Sequence, residues 1–190
     1  MLYLFIFVAV VAIWQLLMRF QRSRQLELLS DRSTRELREL KQQLTNRHLI
    51  VSHLVDLLPE SFDLRFERQK LREVGQEAKS SLSDIDPQNP CATKISEFAL
   101  LEHGFISVAR DLVDSIASDS SVSQIHLVAS CLEGLQKANA QINACKSIYN
   151  MSAIAYQGIR RSSVLKDFGT NERFVIVDLG DWMIDLPIPS

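Results

Sequence analysis

The chain changes its hydrophobic pattern once, near residue 20. Met1–Met18, MLYLFIFVAVVAIWQLLM, carries no charged side chain and one polar one, Gln15. At about 1.5 Å per residue such a helix covers roughly 27 Å, close to the ~30 Å of a bilayer's hydrocarbon core. Phe20 extends it past Arg19, and Tyr3 and Trp14 suit the two interfaces. A cleaved signal peptide would want basic residues ahead of the apolar run and a small-residue exit. Nothing basic precedes this run, and WQLLMRF has no such exit. The pattern predicts an uncleaved transmembrane anchor over residues 1–20.

Beyond it, apolar residues recur every three or four positions among Arg, Glu, Gln and Lys. Leu37, Leu40, Leu44, Val51, Leu54 and Leu58 fall at heptad-like intervals, with Arg47 interrupting. One long helix is expected to leave the membrane here and to end or kink at Pro59. Glu36–Lys41 is expected on its solvated side. Ser61 is placed to cap a second helix over 62–82, with Phe62, Phe66, Val74 and Ala78 along one face. DIDPQNP, residues 84–90, is a loop. A third helix, about 93–117, has the stripe Phe98, Leu101, Phe105, Leu112, Val113, Ile116. SDSSVS (118–123) breaks it, and Ser121 or Ser123 can cap a fourth helix, about 122–161. Its stripe is Val128, Cys131, Leu135, Ala138, Ile142, Cys145, Tyr149, Tyr156, Ile159.

The fold class expected is therefore all-α: an antiparallel bundle of about four long helices behind an N-terminal transmembrane helix. The divisions are the anchor (1–20), a juxtamembrane helix (21–43), the bundle proper (44–169) and a C-terminal tail (170–190). In the tail, Phe174–Val177 has the residues of a short strand, which needs a pairing partner to be stable. The tail is expected to dock loosely or to bind a partner.

Charge adds direction. Arg19, Arg22 and Arg24 follow the apolar run, which by the positive-inside rule puts the body in the cytoplasm and the N-terminus outside. These arginines suit anionic lipid headgroups. The net charge of -2 gives no footprint for nucleic acid. Cys91, Cys131 and Cys145 are odd in number and widely spaced, so no zinc ribbon or disulfide framework is suggested. Cys131 and Cys145, two heptads apart, suit small apolar positions in a reducing compartment.

Little in the chain points to catalysis. His48, His53, His103 and His126 are scattered, and the spacing of His48 and His53 is not that of a zinc pair. His126 belongs on the surface. No nucleophile elbow, Walker A or glycine-rich loop occurs. Asp84 and Asp86 suit caps in the DIDP turn. Asp178, Asp181 and Asp185 lack EF-hand spacing. The one unusual constellation is QINACKSIYNMSAIAYQGIRR, residues 141–161. It sets Tyr149-Asn150 and Tyr156-Gln157 seven apart, on nearly one face of a helix. Two phenols there bury large apolar area while each hydroxyl demands a partner. The stripe is a packing seam with polar tips, or a groove for a peptide or partner helix.

The same residues resemble the LemA family. Its members carry an Ile, a small residue then Arg, and two Tyr-Asn pairs spaced by seven. Here Ile142, Cys145-Lys146, Tyr149-Asn150 and Tyr156-Gln157 stand in those positions. LTNRHLIVSHLV (44–55) is similar to the family's first motif at Leu44, Arg47, Leu54 and Val55. KLREVGQEAK (70–79) and VLKDFG (164–169) look like later ones, so the likeness spans roughly 40–169. This chain departs from the pattern in several places. It has Val51-Ser52-His53 for Ile-Pro-Asn, Gln157 for the second Asn, no Phe-Pro after Ile159, and Pro59 where the family continues. The resemblance implies a divergent, bacterial inner-membrane helical bundle, and it implies no reaction.

The sequence thus leads to the expectation of a single-pass, non-enzymatic scaffold or adaptor without cofactor or metal. Its partners would be the lipid bilayer and either another protein or a second copy bound through the long helices. A transmembrane signalling component or a self-assembling structural bundle are the alternatives.

Overall fold

A computed structural model describes residues 2–58, 65–123, 125–162, 174–180 and 182. The described part is all-α, with no strand. Helix α1 runs unbroken from Leu2 to Leu57, 56 residues or about 84 Å. No Gly or Pro occurs before Pro59, so nothing in the backbone interrupts it. Helix α2 spans Arg65–Ser83, α3 Ala92–Ser118, the single turn α4 Ser120–Ser123, and α5 His126–Ser162.

In the first third of α1 the described apolar side chains Ile6, Phe7, Val8, Val10, Ile13, Trp14, Leu16, Leu17 and Phe20 are all exposed. It is the one described helix long and apolar enough to cross a membrane. Packing begins at half-buried Arg22 and Leu26. It continues in steps of three and four through Leu29, Ser33, Leu37, Leu40, Leu44, Arg47, Val51 and Leu54.

Helix α5 lies along this stripe in the opposite direction, and α2 lies against α3. Two apolar layers fix those directions. The layer nearer the anchor joins Leu37, Leu40 and Leu44 of α1 to Leu82 of α2, Ile95 and Phe98 of α3, and Ile142, Tyr149 and Ala153 of α5. The far layer joins Val51, Leu54 and Val55 to Leu71 and Ala78, to Phe105–Ile116, and to Val128, Leu132 and Leu135. Each chain reversal stays within one layer, so consecutive long helices cross the two layers in opposite order and run antiparallel. At Gly75 a Cβ would lie 3.3 Å from the Phe105 ring, so the missing side chain lets α2 settle onto α3.

Several expectations change. Phe66 is 74 % exposed. The buried stripe of α2 is Leu71, Ala78 and Leu82 with Val74 half-buried, and Phe66 lies five residues before Leu71, about 140° around the helix. Ser61 and Phe62 fall outside the described residues. The fourth long helix begins at His126, not at 122: residues Ser120–Ser123 form the separate single turn α4. Asp119 caps that turn: its Oδ1 accepts from the Ser121 amide at 2.9 Å and the Ser121 hydroxyl at 2.6 Å. Ser121 is a donor to the cap rather than the cap itself. Lys41 leaves the solvated side of α1. Its Nζ donates to the carbonyls of Ser83 (3.0 Å) and Ile85 (2.7 Å), placing a cation on the C-terminus of α2.

Candidate functional site

The two tyrosine–amide pairs of α5 meet the chain's own tail. Residues 174–180 run extended along the C-terminal half of α5, and Phe174, Val177, Leu179 and Trp182 are buried there. For these residues the expectation of a loose tail is corrected: Phe174, Val177, Leu179 and Trp182, spaced three, two and three apart, all reach the core. The Tyr149 hydroxyl donates to the Val175 carbonyl at 3.0 Å. Asn150 makes two bonds to one residue: its Nδ2 donates to the Val177 carbonyl and its Oδ1 accepts from the Val177 amide, both at 2.9 Å. Gln157 Nε2 donates to the Phe174 carbonyl at 2.7 Å, and Lys146 Nζ to the Gly180 carbonyl at 3.4 Å. The Tyr156 ring meets Phe174 edge to face at 5.1 Å.

An extended segment without a neighbouring strand is thus satisfied by side chains of a helix. Asn150 presents one donor and one acceptor, as a ladder residue would. Tyr149 is fully buried, and burial pushes its phenol up from the ordinary value despite the hydrogen bond to Val175. It stays a donor throughout the physiological range. Gly180 turns the segment with φ of 67°. A Cβ there would also lie 2.7 Å from the His103 ring of α3, so glycine is required twice over.

The balance of this contact is close. Burying four large apolar side chains contributes about 1.5–3 kcal/mol each. Five hydrogen bonds add about 1 kcal/mol each. Ordering the eight residues costs about 1–2 kcal/mol apiece. The two sides agree within a few kcal/mol, so the side chains hold the segment and the hydrogen bonds set its register.

Between the two apolar layers lies a polar one that sequence reasoning missed. Arg47 and His48 of α1, Glu102 of α3 and Asn139 of α5 are all buried. Arg47 Nη2 donates to Glu102 Oε1, and Arg47 Nη1 to Asn139 Oδ1 at 3.2 Å. His48 Nε2 lies 2.8 Å from Glu102 Oε2. Since that carboxylate is ionised beside Arg47, Nε2 carries the proton and donates. Burial alone would push the Glu102 carboxyl up. The His48 hydrogen bond and the Arg47 and His48 charges outweigh it and hold the carboxyl below its usual range. The Trp182 ring of the tail lies over the Arg47 guanidinium, 5.8 Å from centroid to Cζ, and so covers this layer. His48 packs at 4.5 Å on Phe105. The signal was present: Arg47, Glu102 and Asn139 each fall in phase with the apolar stripe of their own helix.

An open groove of about 830 Å³ lies between α1 and α2, with Val51, Val55, Leu71 and Phe105 on its floor and Arg72, Gln76 and Lys79 along its rim. Arg72 is tied to Asp56 across it at 3.0 Å. The juxtamembrane Arg22 is half-buried, while Arg19 and Arg24 are exposed, Arg24 resting over the Phe20 ring at 5.5 Å. Cys131 and Cys145 are half-buried free thiols, and burial pushes both up. Asp86 Oδ1 accepts the Gln88 amide at 2.9 Å, an Asx turn in the loop. Asp178 likewise accepts from the Gly180 amide at 3.1 Å. Asp181 and Asp185 lie outside the described residues. Among the described residues no group of three or more His, Cys, Asp or Glu is arranged to hold a metal ion. Compared with known proteins, the chain matches no family model, no curated protein and no solved structure.

Proposed function

We propose that this protein is a single-pass, membrane-anchored, non-enzymatic adaptor. Its helical body stands at the cytoplasmic face of a bacterial inner membrane and engages a protein partner. The observation that carries the reading is the form of α1. A span whose described apolar side chains are exposed continues without a break into a helix of the packed body. Exposed apolar surface on that scale favours a lipid environment, and an unbroken helix would hold the body next to the bilayer. The orientation is supported by Arg19, Arg22 and Arg24 on one flank only. The likeness of 40–169 to the LemA family supports the same architecture. Lys41, Arg47, Glu102 and Lys146 are engaged in holding helices and tail, which favours a binding role over chemistry.

The test is crosslinking of the tagged, full-length protein in its membrane at native level, read by mass spectrometry. The adaptor reading predicts one reproducible membrane partner. Crosslinks to further copies alone would replace it with a self-assembling structural bundle.

A further inference from the structure

We propose that the groove between α1 and α2 is a binding site for a small organic acid with an apolar body, one anionic group and a hydroxyl or N–H donor. This goes beyond the adaptor reading. Three observations carry it.

First, the groove follows from the way the helices pair. Helix α1 packs closely on α5 and α2 on α3, while α1 and α2 stand apart along the groove. Gly75 has no Cβ to hold α2 off the Phe105 ring, so α2 sits down on α3 and leaves its α1 side open. The α2 residues flanking the opening, Arg72, Gln76, Lys79 and Ser83, are polar and give α1 no apolar seam to close on. The floor of Val51, Val55, Leu71 and Phe105 is apolar, and about 830 Å³ is the size of a small-molecule site.

Second, the wall holds a buried polar atom that nothing satisfies. His48 lines the groove, and its Nε2 is committed to Glu102 at 2.8 Å. With the ring's proton on Nε2, Nδ1 is a bare acceptor. It is buried and has no hydrogen-bond partner among the described residues. A buried acceptor in a groove wall is matched by a donor on the molecule that fills the groove. Third, the rim selects charge. Asp56 is tied to Arg72 at 3.0 Å, and no other acidic side chain lines the groove among the described residues. Lys79 is exposed and makes no ion pair among them, so the mouth carries an uncompensated cation. The ligand therefore lays its apolar body on the floor, its anion near Lys79 and its donor on His48. His48 stands 28 residues beyond Phe20, about 42 Å along α1, which is out of reach of molecules seated in a bilayer at the apolar span. The occupant is a water-soluble acid.

The probe is a hydroxynaphthoate with its hydroxyl and carboxylate at opposite ends of the ring system. It is titrated into full-length chain in lipid nanodiscs and read by its own fluorescence against empty nanodiscs. Naphthoate lacks the donor and naphthol lacks the anion. Binding is expected to saturate, with the hydroxynaphthoate about tenfold tighter than naphthoate, as for one hydrogen bond to an otherwise unpaired buried group. His48→Gln sets an amide donor near the place of Nε2 and removes the Nδ1 acceptor. In that chain the two acids bind equally. Lys79→Glu weakens the hydroxynaphthoate by about fivefold and leaves naphthol unchanged. Lys70→Glu, the same change on α2 outside the groove, alters neither. Should His48→Gln lose its helical content, Ser52→Trp serves instead. Ser52 is an exposed rim position, and the indole fills the groove so that no probe binds.

No saturable binding beyond that of empty nanodiscs overturns the proposal. So do equal affinities for the two acids in wild type, or a hydroxyl advantage that survives in folded His48→Gln. Unchanged binding in Ser52→Trp, or equal losses in Lys79→Glu and Lys70→Glu, does the same.

Discussion

Changing Tyr149 to Phe removes one hydroxyl and leaves the ring that fills the anchor-side layer. The Val175 carbonyl then loses its donor, at about 1 kcal/mol. Tyr149→Ala also leaves a cavity and costs roughly 3–5 kcal/mol, as for other large aromatics. Urea denaturation of the two variants checks the ratio. Glu102 behaves differently, because Glu102→Gln leaves Arg47 buried without its counter-charge, at about 3–5 kcal/mol. The pH dependence has a definite sign. The folded carboxyl lies below the ordinary value of 4.5, so its contribution is complete above that value and is lost as pH falls through the folded one. The stability gap between wild type and Glu102→Gln is therefore full at neutral pH and narrows only in acid. A gap unchanged down to acid pH would show that the charge does not matter. At this scale the tyrosine stripe was legible, since seven-residue spacing with paired amides is visible in the chain. What the amides hold was not, because the tail lies about two dozen residues away and meets them only once α5 exists.

At the scale of elements, α1 and α3 were readable because their stripes are long and regular. The polar layer hid inside them. Arg47 stands at a heptad position, where it reads as an interruption until Glu102 and Asn139 occupy the matching level of α3 and α5. A charge in phase with an apolar stripe is a request for a partner that one helix alone cannot identify. The short helix α2 was misread at its start, where Phe66 drew attention to the wrong face. Lys41 gives a test of how α2 is fastened. Lys41→Met keeps the apolar stem and removes both bonds to the last carbonyls of α2. Amide exchange in residues 80–85 should then quicken while the middle of α2 stays protected. Equal exchange would show that Leu82 and Ile85 hold that end unaided.

On the scale of the molecule, Arg47 is bonded to Asn139. Stepping outward in antiparallel register brings Ser162, the last residue of α5, level with about residue 24 of α1. The half-buried positions of α1 begin at Arg22, in agreement. The body therefore starts within about two helical turns of the apolar span, with Arg160 and Arg161 at the same level as Arg22 and Arg24. The proposed topology is checked by fusing reporters to the C-terminus. An alkaline phosphatase should be inactive and a fluorescent protein bright, and the opposite pair of results would turn the molecule over in the membrane.

The central claim is that the tail is held on the long helix by side-chain bonds to its main chain. Hydrogen exchange of the Val177 amide in full-length protein in nanodiscs tests it most directly, because Asn150 is the acceptor of that amide. Protection in wild type, lost in Asn150→Ala while α5 keeps its own, is the result expected. Fast exchange at Val177 in wild type, with α5 protected, would mean that the tail is not docked there and that the tyrosine–amide stripe has another use.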